Sequence, residues 1–196
     1  SSGAIIITTK KASTGKKFEI AYDNSFRFSE INRYPPVTDN FLGGNNGIQK
    51  SSFTYFGPQN PNPDANSVTK YVDDFFRTGF SQTHNLSVAY GTKNTSFRAS
   101  GSFNNITGSI PFNYYKRYNF RLSNTTKIGK FIDITPSFSY AKTDFKRPIR
   151  GANGYLLNLL RWPVDQDLKN FEDANGNKLL INASDPLFEL DNPMWN

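Results

Sequence analysis

Five stretches of the chain alternate, residue by residue, between apolar and polar side chains. Phe18, Ile20, Tyr22, Phe26 and Phe28 share one parity, and Glu19, Ala21, Asp23 and Arg27 take the other. Leu86, Val88 and Tyr90 alternate with Asn85, Ser87 and Ala89; Phe97, Ala99, Gly101 and Phe103 alternate with Ser96, Arg98, Ser100 and Ser102. Tyr118, Phe120 and Leu122 interleave with Asn119, Arg121 and Ser123, and Ile132, Ile134, Phe138 and Tyr140 with Asp133, Thr135, Ser137 and Ser139. Successive side chains of an extended chain point to opposite faces, so a period of two predicts strands with one apolar and one polar face. The strands are expected over residues 17–28, 82–91, 95–104, 115–126 and 131–142. The fold class that follows is all-β.

Strand length and connection length narrow the architecture. Strands of a soluble sandwich run to about five or six residues. A tilted strand that crosses a membrane needs about 9–11, apolar outside, polar inside, with rings near both interfaces. The stretches here have the longer length. Their polar parity carries Glu19, Arg98, Arg121 and Asp133, and their apolar parity ends in Tyr90 and Phe131 on one side and Phe103, Tyr118 and Tyr140 on the other. The connections 29–81, 105–114 and 143–194 are long, whereas Thr92–Asn94 and Lys127–Lys130 are short. Long and tight connections alternate in outer-membrane barrels, where the long ones are extracellular. The expectation is a segment of a large antiparallel transmembrane β-barrel. Five strands leave two open edges, and unpaired amides are not tolerated in lipid, so the chain is expected to be part of a longer one. The abrupt opening, Ser1-Ser2-Gly3 running straight into Ile5-Ile6-Ile7, points the same way.

The long loops carry local signals. Val68, Tyr71, Val72, Phe75 and Phe76 stand at helical spacing before Gly79, and residues 153–161 read as a short helix that ends ahead of Pro163. Asp173–Asn177, between Phe171 and Leu179, reads as a hairpin turn. Pro35-Pro36, Gly43-Gly44 and residues 58–63 read as irregular loop.

Composition changes this picture little and removes several functions. Rings supply 15% of the 196 residues (18 Phe, 10 Tyr, 2 Trp), so the chain is too aromatic for a disordered segment. With no Cys and one His, thiol chemistry, disulfides and multi-histidine metal sites are excluded within these residues. The net charge is 23 − 16 = +7, but the cations are scattered and no nucleic-acid-binding motif is present, so no nucleic-acid partner is expected. Neither G-x-S-x-G, nor a P-loop, nor a pair of catalytic carboxylates occurs. No enzymatic activity, catalytic residue, metal site or cofactor is expected. His84 is read as a polar contact at a strand end, Asp73-Asp74 as solvated residues of the loop helix, and Glu172–Gly176 as a turn rather than a calcium loop.

Four motifs lie in order along the chain. They are Ser1–Lys11 (SSGAIIITTKK), Asp73–Val88 (DDFFRTGFSQTHNLSV), Tyr115–Leu122 (YKRYNFRL) and Asp191–Trp195 (DNPMW). Together they resemble the SusC/RagA family of TonB-dependent outer-membrane transporters from Bacteroidota. Tyr71 departs from the family's frequent Trp, and Tyr90-Gly91 from its common Gly-Gly. The resemblance implies that residues 1–11 end a plug domain and that 12–196 begin a 22-stranded barrel in the outer membrane of a Gram-negative bacterium. It also implies a SusD-like surface lipoprotein as lid, energy from TonB–ExbB–ExbD, import of oligosaccharides or peptides, and a dimer of transporter–lid pairs surrounded by outer-membrane lipid.

Candidate substrate-contacting residues are Tyr155, Arg161 and Trp162, since rings stack on sugar faces and a guanidinium satisfies polar ligand groups. The alternative is that Leu156, Leu159, Leu160 and Trp162 anchor the loop helix. Arg98 and Arg121 are expected to face the lumen. Two rival functions remain: a passive porin or adhesin barrel, which has no use for the Ser1–Lys11 strand, and a soluble carbohydrate-binding β-domain. Open strand edges predict that these 196 residues, produced alone, aggregate without detergent. Sedimentation of a soluble 22.2 kDa monomer in plain buffer would favour the soluble domain instead.

Overall fold

A computed structural model describes residues 18–35, 38–50, 54–63, 68–151, 154–179 and 192–195. The expected plug end, residues 1–11, lies outside the described residues. The elements run β1 (Glu19–Ser29), β2 (Gly44–Asn45), β3 (Ile48–Gln49), α1 (Val68–Phe75), β4 (Gly79–Gly91), β5 (Thr95–Thr107), β6 (Tyr114–Ile128), β7 (Ile132–Ile134), β8 (Ser137–Lys146) and α2 (Tyr155–Leu160). The fold is all-β with two short helices. One sheet follows the order β1-β4-β5-β6-β7, with β8 also pairing with β6, and β2 and β3 form a small separate sheet.

The large sheet is an antiparallel meander. Thr92 N–H donates to Thr95 O (2.7 Å) across the β4–β5 turn, and Gly108 N–H to Asn113 O (3.0 Å) across the β5–β6 connection. Between β6 and β7 the register is Thr126↔Ile134, Lys127↔Asp133 and Ile128↔Ile132. Strands β4, β5 and β6 are 13, 13 and 15 residues long, beyond the limits that alternation marked. Ladder hydrogen bonding continues wherever two backbones stay side by side, whatever the side chains. The β5–β6 connection therefore shrinks to residues 108–113. The last predicted strand, 131–142, is instead two: Thr135-Pro136 separates β7 from β8. Pro136 has no N–H for the ladder. Its carbonyl still accepts from Asn124 N–H (3.1 Å), so the strand resumes in the same parity.

Contacts divide the chain into two compact units. A sheet unit comprises the chain up to Arg27, Ser81–Ile106 and Tyr115–Phe145; a loop unit comprises Phe28–Phe80, Thr107–Tyr114 and Lys146–Asn196. Burial differs sharply between them. Among the described residues the apolar core belongs to the loop unit: Leu42, Val72, Phe75, Leu159, Trp162, Val164 and Leu168. In the sheet unit Ala89 is the buried apolar residue, while Ile20, Tyr22, Phe26, Leu86, Phe120, Phe138 and Tyr140 all stay exposed. An exposed apolar face of this kind marks an interaction surface or an aggregation liability.

In the loop unit α1 turns Val72 and Phe75 inward, three residues apart on one helical face. Phe75 stacks on Tyr155 of α2 at 5.8 Å. The β2–β3 hairpin, in a stretch expected to be irregular, turns through Asn46 (φ 51°) and Gly47 (φ 75°). Positive φ at both central residues is what a tight two-residue hairpin requires, and Asn-Gly supplies it at least strain. At Gly44 a Cβ would overlap Ile48 O, so glycine is required there. The expected turn at 173–177 is present: Asp173 N–H donates to Asn177 O (2.8 Å), Leu179 N–H to Phe171 O (3.0 Å), and Gly176 takes φ 79°.

Phe75→Ala is expected to cost the loop unit about 3–5 kcal/mol. Limited proteolysis within residues 154–168 should accelerate accordingly. Unchanged protection would show that Phe75 is not what holds α1 and α2 together.

Candidate functional site

The polar parity of the sheet unit forms a shallow hollow of about 270 Å³, bordered by Asp23, Asn85, Ser87, Arg98, Ser100, Ser102, Asn119 and Arg121. Alternation along four strands delivers these groups to one face. Arg98 is half-buried and donates from Nη2 to Ser87 Oγ (2.9 Å). Asn119 donates from Nδ2 to Ser102 Oγ (2.9 Å), and its Oδ1 accepts from Arg117 Nε (3.0 Å). Arg121 is exposed at the same hollow. Arg98 and Arg121, both expected to face the lumen, border the same hollow. The amide and hydroxyls around them were read from the sequence only as polar strand positions, not as site residues, although their shared parity marks them. The surface offers guanidinium, hydroxyl and amide groups to water or to a polar ligand, with Asp23 as the carboxylate.

The second candidate trio lies in the loop unit, and its members differ in role. Trp162 is 2% exposed, and its indole N–H donates to Gln166 O (2.9 Å). Tyr155 is half-buried against Phe75. Arg161 is exposed and follows the last residue of α2. Leu159 is fully buried, whereas Leu156 and Leu157 stay exposed.

Two phenols tie this core to the backbone after α2. Tyr55 O–H donates to Trp162 O (2.7 Å), and Tyr71 O–H to Val164 O (2.9 Å). Burial pushes the Tyr55 phenol far above its ordinary range; the Arg161 charge opposes this and the Asp165 carboxylate adds to it. Tyr71 is raised by burial and then by Asp167, Asp165 and Asp74. Asp74 pairs with Lys169 at 3.1 Å on the surface, and Asp73 is exposed. A smaller hollow, about 190 Å³, is bordered by Glu30, Tyr34, Asp73, Phe76, Arg77 and Thr78. The Arg77 guanidinium there donates to Gly108 O (3.0 Å) and Ile110 O (3.4 Å). The Asp173 carboxyl is held below its ordinary value by the Asn177 side chain and by the amides of Asn177, Asn175 and Gly176. Those bonds make the carboxylate a turn acceptor.

His84 lies within β4 rather than at a strand end, because the strand begins five residues earlier at Gly79. It stands on the apolar parity. Its Nδ1 is 2.7 Å from Tyr22 Oη, and its ring stacks between Tyr22 (6.1 Å) and Phe103 (6.4 Å), with Phe26 edge-on (5.8 Å). Phe103 stacks on Tyr118 at 4.9 Å. No group of three or more His, Cys, Asp or Glu side chains gathers at metal-binding distance among the described residues, and no helix there is long and apolar enough to cross a membrane.

No family model matches the chain. A curated protein described as TonB-dependent receptor SusC, from Bacteroides thetaiotaomicron, is 29% identical over 154 residues, 79% of this chain. The chain spans about 14% of the length of that relative. The likeness supports a relationship with the TonB-dependent receptors.

A tyrosine whose folded pKa lies above its unfolded value stabilises the fold fully below the unfolded pKa, here 10.0, and that contribution is lost as the pH rises past it. The loop unit is therefore expected to loosen in alkali beyond this point. The near-ultraviolet circular dichroism of the wild type should show the step, and Tyr55→Phe/Tyr71→Phe, with no phenolic proton to lose at either position, should lack it. A wild-type signal that stays flat through the same interval would overturn the assignment.

Proposed function

We propose that this chain belongs to the barrel of a SusC-like TonB-dependent transporter, which imports oligosaccharides or peptides across the outer membrane of a Gram-negative bacterium. The observation that carries the reading is the division of one antiparallel sheet into an exposed apolar face and a polar face. Strands of 13–15 residues are long enough to cross a bilayer at a tilt and project beyond it. The 29% identity to the SusC receptor supports the same reading.

In this reading the apolar face meets lipid and the hollow around Arg98 and Arg121 faces the barrel lumen. Residues 1–11 close a plug, and the chain 12–196 opens a barrel of 22 strands. Arg161 is the member of its trio that meets substrate, while Tyr155 and Trp162 keep α2 in place behind it. A SusD-like lipoprotein covers the extracellular side, TonB–ExbB–ExbD supplies the energy, and transporter–lid pairs dimerise. The protein carries no catalysis and needs no cofactor.

The test is made in the cell that produces the protein. Uptake of labelled oligosaccharide or peptide should depend on this polypeptide and disappear when TonB is deleted, and the polypeptide should fractionate with the outer membrane. Uptake that persists without TonB would make it a passive porin. Recovery in a soluble fraction would abandon the barrel.

A further inference from the structure

On the polar face of the sheet unit, guanidiniums from two neighbouring strands border one hollow. The contacts Asn119–Ser102 (2.9 Å) and Phe103–Tyr118 (4.9 Å) set β5 against β6. In that register Ser100 stands opposite Arg121, and Arg98, two residues along β5, is the diagonal neighbour of Arg121. Diagonal positions lie roughly 7–8 Å apart, so two side chains as long as arginine can converge on one group. Ser100 supplies the short side chain between them. It is half-buried, and its hydroxyl has no hydrogen-bond partner among the described residues.

The charges around this hollow are unbalanced. Arg98 is half-buried and donates to Ser87 Oγ (2.9 Å), a neutral acceptor; it has no carboxylate partner among the described residues. Arg121 has no partner among them. Asp23, the carboxylate at the border, stands two strands from Arg98 and is ion-paired with neither arginine. A cation drawn partly out of water and given only a hydroxyl is not fully compensated. An anion between the two guanidiniums would compensate both, and the planar fork of arginine matches a carboxylate.

The geometry points to a subsite for an acidic sugar. The carboxylate of a uronate unit lies over Ser100, between Arg98 and Arg121, and ring hydroxyls meet the Asn85 amide and the Asp23 carboxylate at the border of the hollow. The serine hydroxyls and the Asn85 amide are the partners that ring hydroxyls need, which favours a polyhydroxylated acid over an acidic peptide. The proposal rests on the transporter reading above, in which this face lines the lumen, and adds to it the charge class of the cargo.

The intact protein in nanodiscs provides the test. Binding of trigalacturonate is compared with binding of its methyl ester, which keeps the sugar ring and removes the charge. The wild type should bind the acid about tenfold more tightly, the scale of charge-assisted hydrogen bonds. Arg98→Gln/Arg121→Gln should bind acid and ester alike, and Arg98→Lys/Arg121→Lys should keep part of the preference. Ser100→Cys should react with a charged, water-soluble thiol reagent, and trigalacturonate should protect it while the ester does not.

Equal binding of acid and ester by the wild type, or a preference that survives in Arg98→Gln/Arg121→Gln, would overturn the proposal. An unreactive Ser100→Cys would do the same, since the hollow would then be closed to cargo. Displacement of trigalacturonate by triglutamate at equal concentration would replace the sugar with an acidic peptide. Phe120→Cys, on the opposite face, should stay unreactive; its labelling by the charged reagent would refute the membrane reading itself.

Discussion

The main-chain ladder is the constraint on which the rest of the structure depends. Once β4, β5 and β6 lie side by side, their backbone N–H and C=O groups pair across the strands. The geometry of the extended chain then sends alternate side chains to opposite faces. Nothing in that ladder selects a length, so pairing continues past the apolar stretches until a turn or a proline interrupts it. Pro136 does so between β7 and β8. The two faces are a consequence: Ile20, Leu86, Phe120 and Phe138 on one, Asn85, Arg98, Asn119 and Arg121 on the other.

The loop unit obeys the opposite rule. It has little regular structure and nearly all the burial, with α1 and α2 packing Val72, Phe75, Leu159 and Trp162 together. Short helices of eight and six residues do not persist by their own hydrogen bonds. They are held by apolar contact and by phenols that donate to carbonyls with no helical partner, Tyr55 to Trp162 and Tyr71 to Val164. Asn158 is drawn into this interior at 1% exposure, and its side-chain oxygen finds no partner there. That places a destabilising polar group within α2. A sheet exposed on both faces and an inward-packed loop unit thus coexist in one chain because their side chains were distributed by different periods, two and about 3.6.

Much of this was legible beforehand because it is local. Alternation located five strands, helical spacing located α1 and α2, and Asn-Gly with Asp173 located the turn at 173–177. Asn46-Gly47 carried an equally strong hairpin signal, but the flanking residues Gly44-Asn45 and Ile48-Gln49 are too few to show alternation, and the hairpin went unread. The limits of β4–β6 were missed for a related reason: residues 79–81, 105–107, 114 and 127–128 belong to the strands but lie outside the stretches where apolar and polar side chains alternate. His84 sits mid-strand on the apolar face for the same reason.

The sequence by itself determined which residues share a face, since parity is a property of the extended chain and needs no partner. It placed Arg98 with Arg121 and set both apart from the rings. Only the tertiary structure decided which rings are buried. Trp162 and Phe120 look alike as aromatic residues beside polar neighbours; one is closed over by α1 and α2, and the other stays exposed on a sheet with no covering layer among the described residues. Burial depends on what else arrives at the same place, and contacts between residues 55 and 162, or 71 and 164, are long-range events that no local pattern encodes. The ring stack on the sheet was decided in the same way, because it exists only when Tyr22, His84, Phe103 and Tyr118 are brought into register by separate strands.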